Sequence, residues 1–282
     1  MKHFLITGTS TGIGLDLTKA LLSLGHRVWA GVRNPATMKE LEKNYSNLLK
    51  TLELDVTRPD HIQNAFTKIH QELKHGDEFI LINNAGVAIG GPFETLPLQA
   101  WRDLFEVNVF GLIEVTRVFL PTLRQHHGRV INIGSISGRL ATPYLGPYSS
   151  SKFAVRSLTD SLRREMLPRG VKVVLIEPGP IQTPIWDKSL ERSHTIGSQA
   201  TPEQVQEYQE AVAALNRGVT KTAAGAIPVS AVTEAIFKAC FKEDPKPYYL
   251  VGSSAKIRDL MNKILPTFVM DKIMERGFRG VD

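Results

Sequence analysis

The chain has 282 residues, 42% hydrophobic and 22% charged, enough apolar material for the core of one large α/β domain. Its net charge of +6 comes from lysines and arginines scattered without a dense basic run, which argues against a nucleic-acid partner and is as well explained by anionic small molecules. The single cysteine, Cys240, rules out an internal disulfide, no apolar stretch approaches the roughly eighteen residues of a membrane span, and Met1 leads into a strand pattern without signal-peptide features, so a cytoplasmic protein with no transmembrane segment is expected.

Residues 3–7 (HFLIT) form a short apolar run, followed by Gly8, Gly12 and Gly14 and then by the helical pattern LDLTKALLSL. Strand, glycine turn and helix together let backbone N–H groups and the positive helix end face a phosphate. The spacing G-x-x-x-G-x-G departs from the dinucleotide fingerprint G-x-G-x-x-G, and an ordinary βα turn is the alternative at this point. Thr9, Ser10 and Thr11 offer hydroxyls but no positive charge. Residues 27–32 (RVWAGV) predict the second strand, with Arg33 directly after it and no acid at the strand end. In a dinucleotide fold an acid there would bond the ribose 2′-hydroxyl, whereas an arginine suits a 2′-phosphate. That favours NADP(H) over NAD(H), the alternative being a solvated turn arginine.

Residues 48–54 predict a third strand ending at Asp55 and Val56, residues 59–73 a helix started by Pro59, and residues 79–82 a fourth strand leading into Asn83, Asn84, Ala85 and Gly86. A long helical pattern covers 97–123, with Asn108 inside it, where asparagine is usually exposed or bonded to a local carbonyl; it could also kink the helix and turn a carbonyl toward a buried water. Residues 129–133 predict a fifth strand that delivers Ser135 at its C-terminal end, where ligands bind in open parallel sheets. Residues 147–167 predict a helix carrying Tyr148 and Lys152, four apart and therefore on one face, so an ammonium can sit near a phenol oxygen. A sixth, apolar strand at 171–176 ends in EPGPIQT, whose Thr183 offers a hydroxyl near the site or an N-cap for the next helix. The βα rhythm then breaks over 183–228, a substrate-loop excursion with a helical stretch at 202–215, before a helix at 229–241 and a last strand at 247–251. A basic amphipathic helical tail at 256–282 follows the catalytic domain at 1–255 and is expected to pack over the substrate loop or a subunit, contact with a membrane surface being the alternative.

Taken together, Thr7, Gly8, Gly12 and Gly14, the run Asn83-Asn84-Ala85-Gly86, Asn108, Ser135, Tyr148-x-x-x-Lys152 and Pro178-Gly179 occur in the order found in the short-chain dehydrogenase/reductase family, with Ser135 thirteen residues before Tyr148. The chain resembles that family over about residues 1–255, most closely its hydroxysteroid and retinol dehydrogenase branch. The resemblance implies one Rossmann-like, doubly wound α/β domain, a parallel sheet of about seven strands with helices on both faces, and a bound nicotinamide cofactor.

On this resemblance Tyr148 would exchange a proton with the substrate oxygen, Lys152, with the positive oxidised nicotinamide, would stabilise the phenolate and lower its pKa, Ser135 would hold the substrate oxygen, and Asn108 would anchor a water joining Lys152 to solvent. Gly8, Gly12 and Gly14, with Thr9, Ser10, Thr11 and Ile13 among them, would cradle the pyrophosphate. Asp55 and Val56 would meet the adenine, Asn83, Ala85 and Gly86 would lie along the ribose, and Pro178, Gly179, Ile181 and Thr183 would cover the nicotinamide. No basic residue stands inside the glycine loop, so the cofactor preference rests on Arg33. Apolar and aromatic side chains are the pocket candidates: Val87, Ile89, Phe93, Ile136, Leu140, Tyr144, Leu145, Ile185 and Trp186. They suit a lipophilic alcohol, ketone or aldehyde. The alternatives are a cofactor-binding sensor without catalysis, an NAD-dependent alcohol dehydrogenase of small substrates, and a nucleotide-sugar enzyme. No metal site is expected, and the resemblance implies a homodimer or homotetramer packed through the helices holding Asn108 and Tyr148.

Overall fold

The structure, a computed structural model, describes residues 1–197 and 200–278. In chain order its elements are β1 (Lys2–Thr7), α1 (Gly12–Ser23), β2 (Arg27–Val32), α2 (Lys39–Asn44), β3 (Leu49–Glu53), α3 (Pro59–Glu72), β4 (Glu78–Asn83), α4 (Leu98–Phe105), α5 (Gly111–Gln125), β5 (Arg129–Ile133), α6 (Gly146–Met166), β6 (Lys172–Pro178), α7 (Ile185–Gly197), α8 (Pro202–Ala224), α9 (Val229–Phe241), β7 (Tyr248–Val251), α10 (Ser253–Ile264) and α11 (Thr267–Phe278). The strands form one seven-stranded sheet in the order β3-β2-β1-β4-β5-β6-β7, and each neighbouring pair is parallel. The order runs outward in both directions from β1 and β4, which leaves a crevice at their C-terminal ends.

Strand alternation divides the core between the two faces. Phe4, Ile6, Ile80, Ile82 and Ile131 pack with α1 and α9 on one side, while Leu5, Phe79, Leu81 and Val130 pack with α3 and α5 on the other. All of these are fully buried, each contributing about 1.5–3 kcal/mol relative to exposure. Such burial on both faces explains why the strands read as continuous apolar runs. Cys240 belongs to the first core, where burial pushes its thiol up to about 12 and leaves it unreactive.

Three segments differ from the sequence reading. The helix expected over 97–123 is interrupted by a π-helical turn at Glu106–Phe110. This wide turn turns Asn108 inward, to partners far along the chain rather than to a local carbonyl. The excursion over 183–228 is largely two helices, α7 and α8, of which α8 runs nine residues past the expected 215. The C-terminal tail does not begin at a boundary near 255: α10 starts at Ser253, Ala255 is fully buried against Gly179, and Asp259 is buried as well. Among the described residues no helix is long and apolar enough to cross a membrane.

Candidate active site

The turn after β1 passes through Gly8 and Gly12 at φ values of 72° and 58°, a region that favours glycine. A Cβ on Gly8 would lie 2.9 Å from Ala85 Cα, and one on Gly14 would lie 2.3 Å from Gly8 O. The turn is therefore pressed against the segment after β4, and α1 begins immediately above it. Asn84 locks the two strand ends together, its Nδ2 donating to Thr7 O and Gly8 O at 2.9 Å each, while Thr7 Oγ1 accepts from the N–H groups of Asn84 and Ala85 at 3.0 and 2.9 Å. Thr11 makes no side-chain cap and the first turn of α1 holds no acid, so its N–H groups have no anion of their own. Ser10, Thr11, Gly12 and Ile13 border the main cavity, and an anion there would meet those groups.

That cavity encloses about 1860 Å³, beyond the ~300–1,000 Å³ of an ordinary single-ligand site. It runs from the glycine turn and Arg33, past Asp55 and Val56, along Ala85 and Gly86, to Ser135, Tyr148 and Lys152. Asp55 Oδ1 accepts from Thr57 N and Thr57 Oγ1 at 3.0 and 2.8 Å, which fixes its carboxylate. Pro178, Gly179, Ile181 and Thr183 form a further wall. The far end is apolar, with Val87, Ile89, Ile136, Leu140, Leu145, Ile185 and Trp186 on its surface. These dimensions and this zoning fit a dinucleotide with a second, apolar molecule beyond it.

Ser135 follows β5 and is buried; its Oγ accepts from Ser137 N at 3.1 Å and is hydrogen-bonded to the Tyr148 phenol. Pro147 starts the first turn of α6, which places Tyr148 at the helix entrance and Lys152 one turn inside. Lys152 is buried; its Nζ donates to Ile133 O at 2.9 Å and stands 5.8 Å from the Tyr148 ring centroid. Asn108 Oδ1 accepts from Val87 N at 2.8 Å, and its Nδ2 donates to Val87 O at 2.9 Å and to Ser151 Oγ at 3.0 Å. Ser151 Oγ in turn donates to Tyr148 O at 2.8 Å, so the π-turn and the start of α6 are joined behind the cavity wall.

Burial raises the Tyr148 phenol above its ordinary value, opposed by the hydrogen bond with Ser135. Burial also lowers the Lys152 ammonium to about 8. In the protein without cofactor, burial is the main influence on the phenol and the Lys152 ammonium donates to Ile133 O.

Several expected site residues lie off the cavity surface. Thr9 is fully buried and its Oγ1 donates to Gly31 O at 3.3 Å, while Gly14 packs on the Gly8 carbonyl. Asn83 faces the α5 side and donates to Thr116 Oγ1 and Asn132 Oδ1 at 2.9 Å each, and Asn84 takes the wall position instead. The alternation of Phe79 and Leu81 toward α5, continued two residues, assigns Asn83 to that face. Asn108 sits behind Gly86, within 3.3 Å of where a Cβ would be. Tyr144 has a left-handed backbone at φ 63° that aims its carbonyl at Gly91 N, and it does not border the cavity. Phe93 is 78% exposed and packs edge-on against Trp101. The sequence reading also omits cavity residues from the covering helices, among them Arg192 of α7, Leu215 of α8, Met261 of α10 and Met270 of α11.

Next to Ser135 lies an ion-pair network not visible in the sequence pattern. Glu177, fully buried at the end of β6, accepts from Arg139 Nε and Nη2 at 2.9 and 2.5 Å and from Arg156 Nη1 at 2.5 Å. Arg139 Nη1 reaches both Asp259 oxygens at 3.1 Å, and Asn262 Nδ2 donates to Arg139 O at 3.0 Å. Two guanidiniums facing two carboxylates compensate the buried charge and fasten α10 to the serine loop.

A family model described as short chain dehydrogenase matches residues 2–194, and the chain belongs to that family. It is therefore an enzyme of the NAD(P)-dependent short-chain dehydrogenases and reductases. It is 35% identical to the NADPH-dependent 3-dehydrocapnine reductase of Ornithobacterium rhinotracheale, over 99% of this chain and 98% of that protein. It is 36% identical to the 3-amino-tetrahydro-pyrrolizinone reductase of Xenorhabdus hominickii, over 96% of this chain and 94% of that one. A solved short chain dehydrogenase from Burkholderia cenocepacia J2315 in complex with NADP matches with a TM-score of 0.71 and 25% identity, across 100% of both chains.

Proposed function

We propose that the chain is an NADP(H)-dependent oxidoreductase that interconverts a carbonyl and a hydroxyl group on a lipophilic substrate, with Tyr148 as its acid and base. The observation that carries this reading is one cavity with an uncapped helix N-terminus and Arg33 at one end and Ser135, Tyr148 and Lys152 where it turns apolar. When bound, the cofactor supplies the hydride. Every other part of the chemistry falls to the chain.

A carbonyl oxygen within reach of both Ser135 Oγ and the Tyr148 phenol is held by the serine hydroxyl and receives its proton from the phenol. The raised value of Tyr148 keeps that proton in place at neutral pH, which suits reduction. The buried ammonium of Lys152, next to the Tyr148 ring, stabilises the phenolate left behind. Asn108 and Ser151 do not touch the reacting atoms; they hold the Val87 backbone and the Tyr148 carbonyl in position. Val87, Leu145, Ile185 and Trp186 exclude water and favour an apolar substrate. The reductases to which the chain is similar, one described as NADPH-dependent, support the direction and the cofactor.

Phe110 at the end of the π-turn, Ile113 on α5 and Phe153 on α6 are exposed, and we assign this apolar face to a second copy of the chain. The functional reading is tested by following NADPH consumption across apolar ketones and aldehydes, including steroids, retinoids and medium-chain compounds. Turnover with at least one of them is expected. NADPH binding without consumption by any carbonyl in the panel would contradict it.

A further inference from the structure

Helix α7 lies over the cavity with Ile185, Ser189, Arg192 and Ile196 along one side of it, at helical spacing, and all four border the cavity. Ile196 packs against the same apolar cluster of Ile89, Leu96, Ala100 and Leu104 as Val87 and Tyr148. Arg192 borders the same cavity as Arg33 at the close of β2, and the two guanidiniums are near enough to repel each other. Among the described residues neither guanidinium has a carboxylate partner. Glu191 and Lys188 of the same helix also border the cavity, but Glu191 is adjacent to Arg192 in sequence, a spacing at which helical side chains do not face each other, and it makes no ion pair with Arg192. Arg192 is half-buried; desolvation and, after it, repulsion from Arg33 hold its guanidinium below its ordinary value. Two unpaired cations converging on one groove are unfavourable in the empty protein and become favourable once an anion lies between them.

The position of Arg192 is set by its neighbours. Ser193 Oγ accepts from Gly90 N at 3.2 Å, and Trp186 Nε1 donates to Ile181 O at 2.7 Å, so α7 is tied to the loop after β4 and to the segment after β6. Its cavity face therefore cannot be rotated away without breaking those bonds.

We propose that Arg192 is a second ligand of the cofactor's 2′-phosphate, acting with Arg33, so that helix α7 is fastened over NADP(H) but not over NAD(H). This rests on the NADP(H) reading above. The 2′-phosphate carries up to two negative charges, and a lone Arg33 at an exposed strand end neutralises only one. A cation supplied by the covering helix also joins cofactor selection to closure of the substrate end, since Ile196, one turn further along, packs against the Tyr148 cluster.

The test is a fluorescence titration of the full-length protein with NADPH and with NADH, for the wild type, Arg33→Ala and Arg192→Ala, alongside hydrogen exchange of the α7 amides. Arg192→Ala is expected to weaken NADPH binding about tenfold and leave NADH within about twofold, the retained NADH affinity showing that the variant is folded. NADPH is expected to protect the α7 amides more than NADH in the wild type and equally in Arg192→Ala. Equal weakening for both cofactors would place Arg192 on the pyrophosphate they share and overturn the 2′-phosphate assignment. Unchanged NADPH affinity in Arg192→Ala, with Arg33→Ala impaired, would overturn the inference while sparing the NADP(H) reading. A wild type that binds NADH more tightly would overturn both.

Discussion

At the catalytic corner the polar side chains are bonded to a strand end, a loop backbone or a helix backbone: Lys152 to Ile133 O, Asn108 to both Val87 backbone groups, Ser151 to Tyr148 O. The covering helices α7 and α8 are attached more sparsely, through Gly90 to Ser193, Trp186 to Ile181 and Tyr208 to Glu94, the last on an exposed surface. The comparison teaches a division of labour. The framework holds Asn108, Ser151 and Lys152 to backbone groups around Tyr148. On the function proposed above, the cover selects what enters, through side chains held to the rest of the chain by fewer bonds.

The largest effect on the framework is expected at Glu177. Replacing it with alanine leaves the partly buried Arg139 and Arg156 without their shared carboxylate, which should cost about 3–5 kcal/mol of unfolding free energy, read by chemical denaturation. A loss below about 1 kcal/mol, the scale of an exposed pair such as Lys238 with Glu234, would mean that α10 and the serine loop are held independently of this network. A second probe is pH. With Lys152 at about 8, reductive kcat/KM is expected to be level below that value and to fall about tenfold per unit above it, as the ammonium that stabilises the phenolate is lost. A profile flat to pH 10 would remove Lys152 from that role. The smallest effect is expected in the cover: Trp186→Ala breaks the bond to Ile181 O and opens the apolar end, raising KM for the carbonyl about tenfold with kcat within about twofold. A matching loss in kcat would show that α7 also shapes the reacting geometry and blur the distinction.

This same distinction governs what could be read from the sequence. The strands were legible because burial on both sheet faces demands unbroken apolar runs, and the glycine turn because Gly8 and Gly12 adopt positive φ. Ser135, Tyr148 and Lys152 stood out because a Tyr–Lys pair one helical turn apart, after a strand-end serine, recurs with the other motifs in family order. Asn83 was misplaced because two adjacent asparagines share one motif, and only strand alternation separates the α5-facing one from the wall residue Asn84. The π-turn at Asn108 was foreseen only as a kink, since its partner Val87 is distant in sequence. Arg192 was illegible because α7 lacks a strong apolar stripe, and the proximity of two arginines so far apart in the chain is a product of the tertiary fold.

The central claim, that Tyr148 carries the transferred proton, is tested most directly by comparing wild type and Tyr148→Phe in NADPH oxidation with an active apolar carbonyl while NADPH affinity is measured in parallel. Loss of the phenol is expected to lower kcat by about 10²–10⁴-fold with NADPH binding retained. A Tyr148→Phe variant that turns over at the wild-type rate would contradict the account.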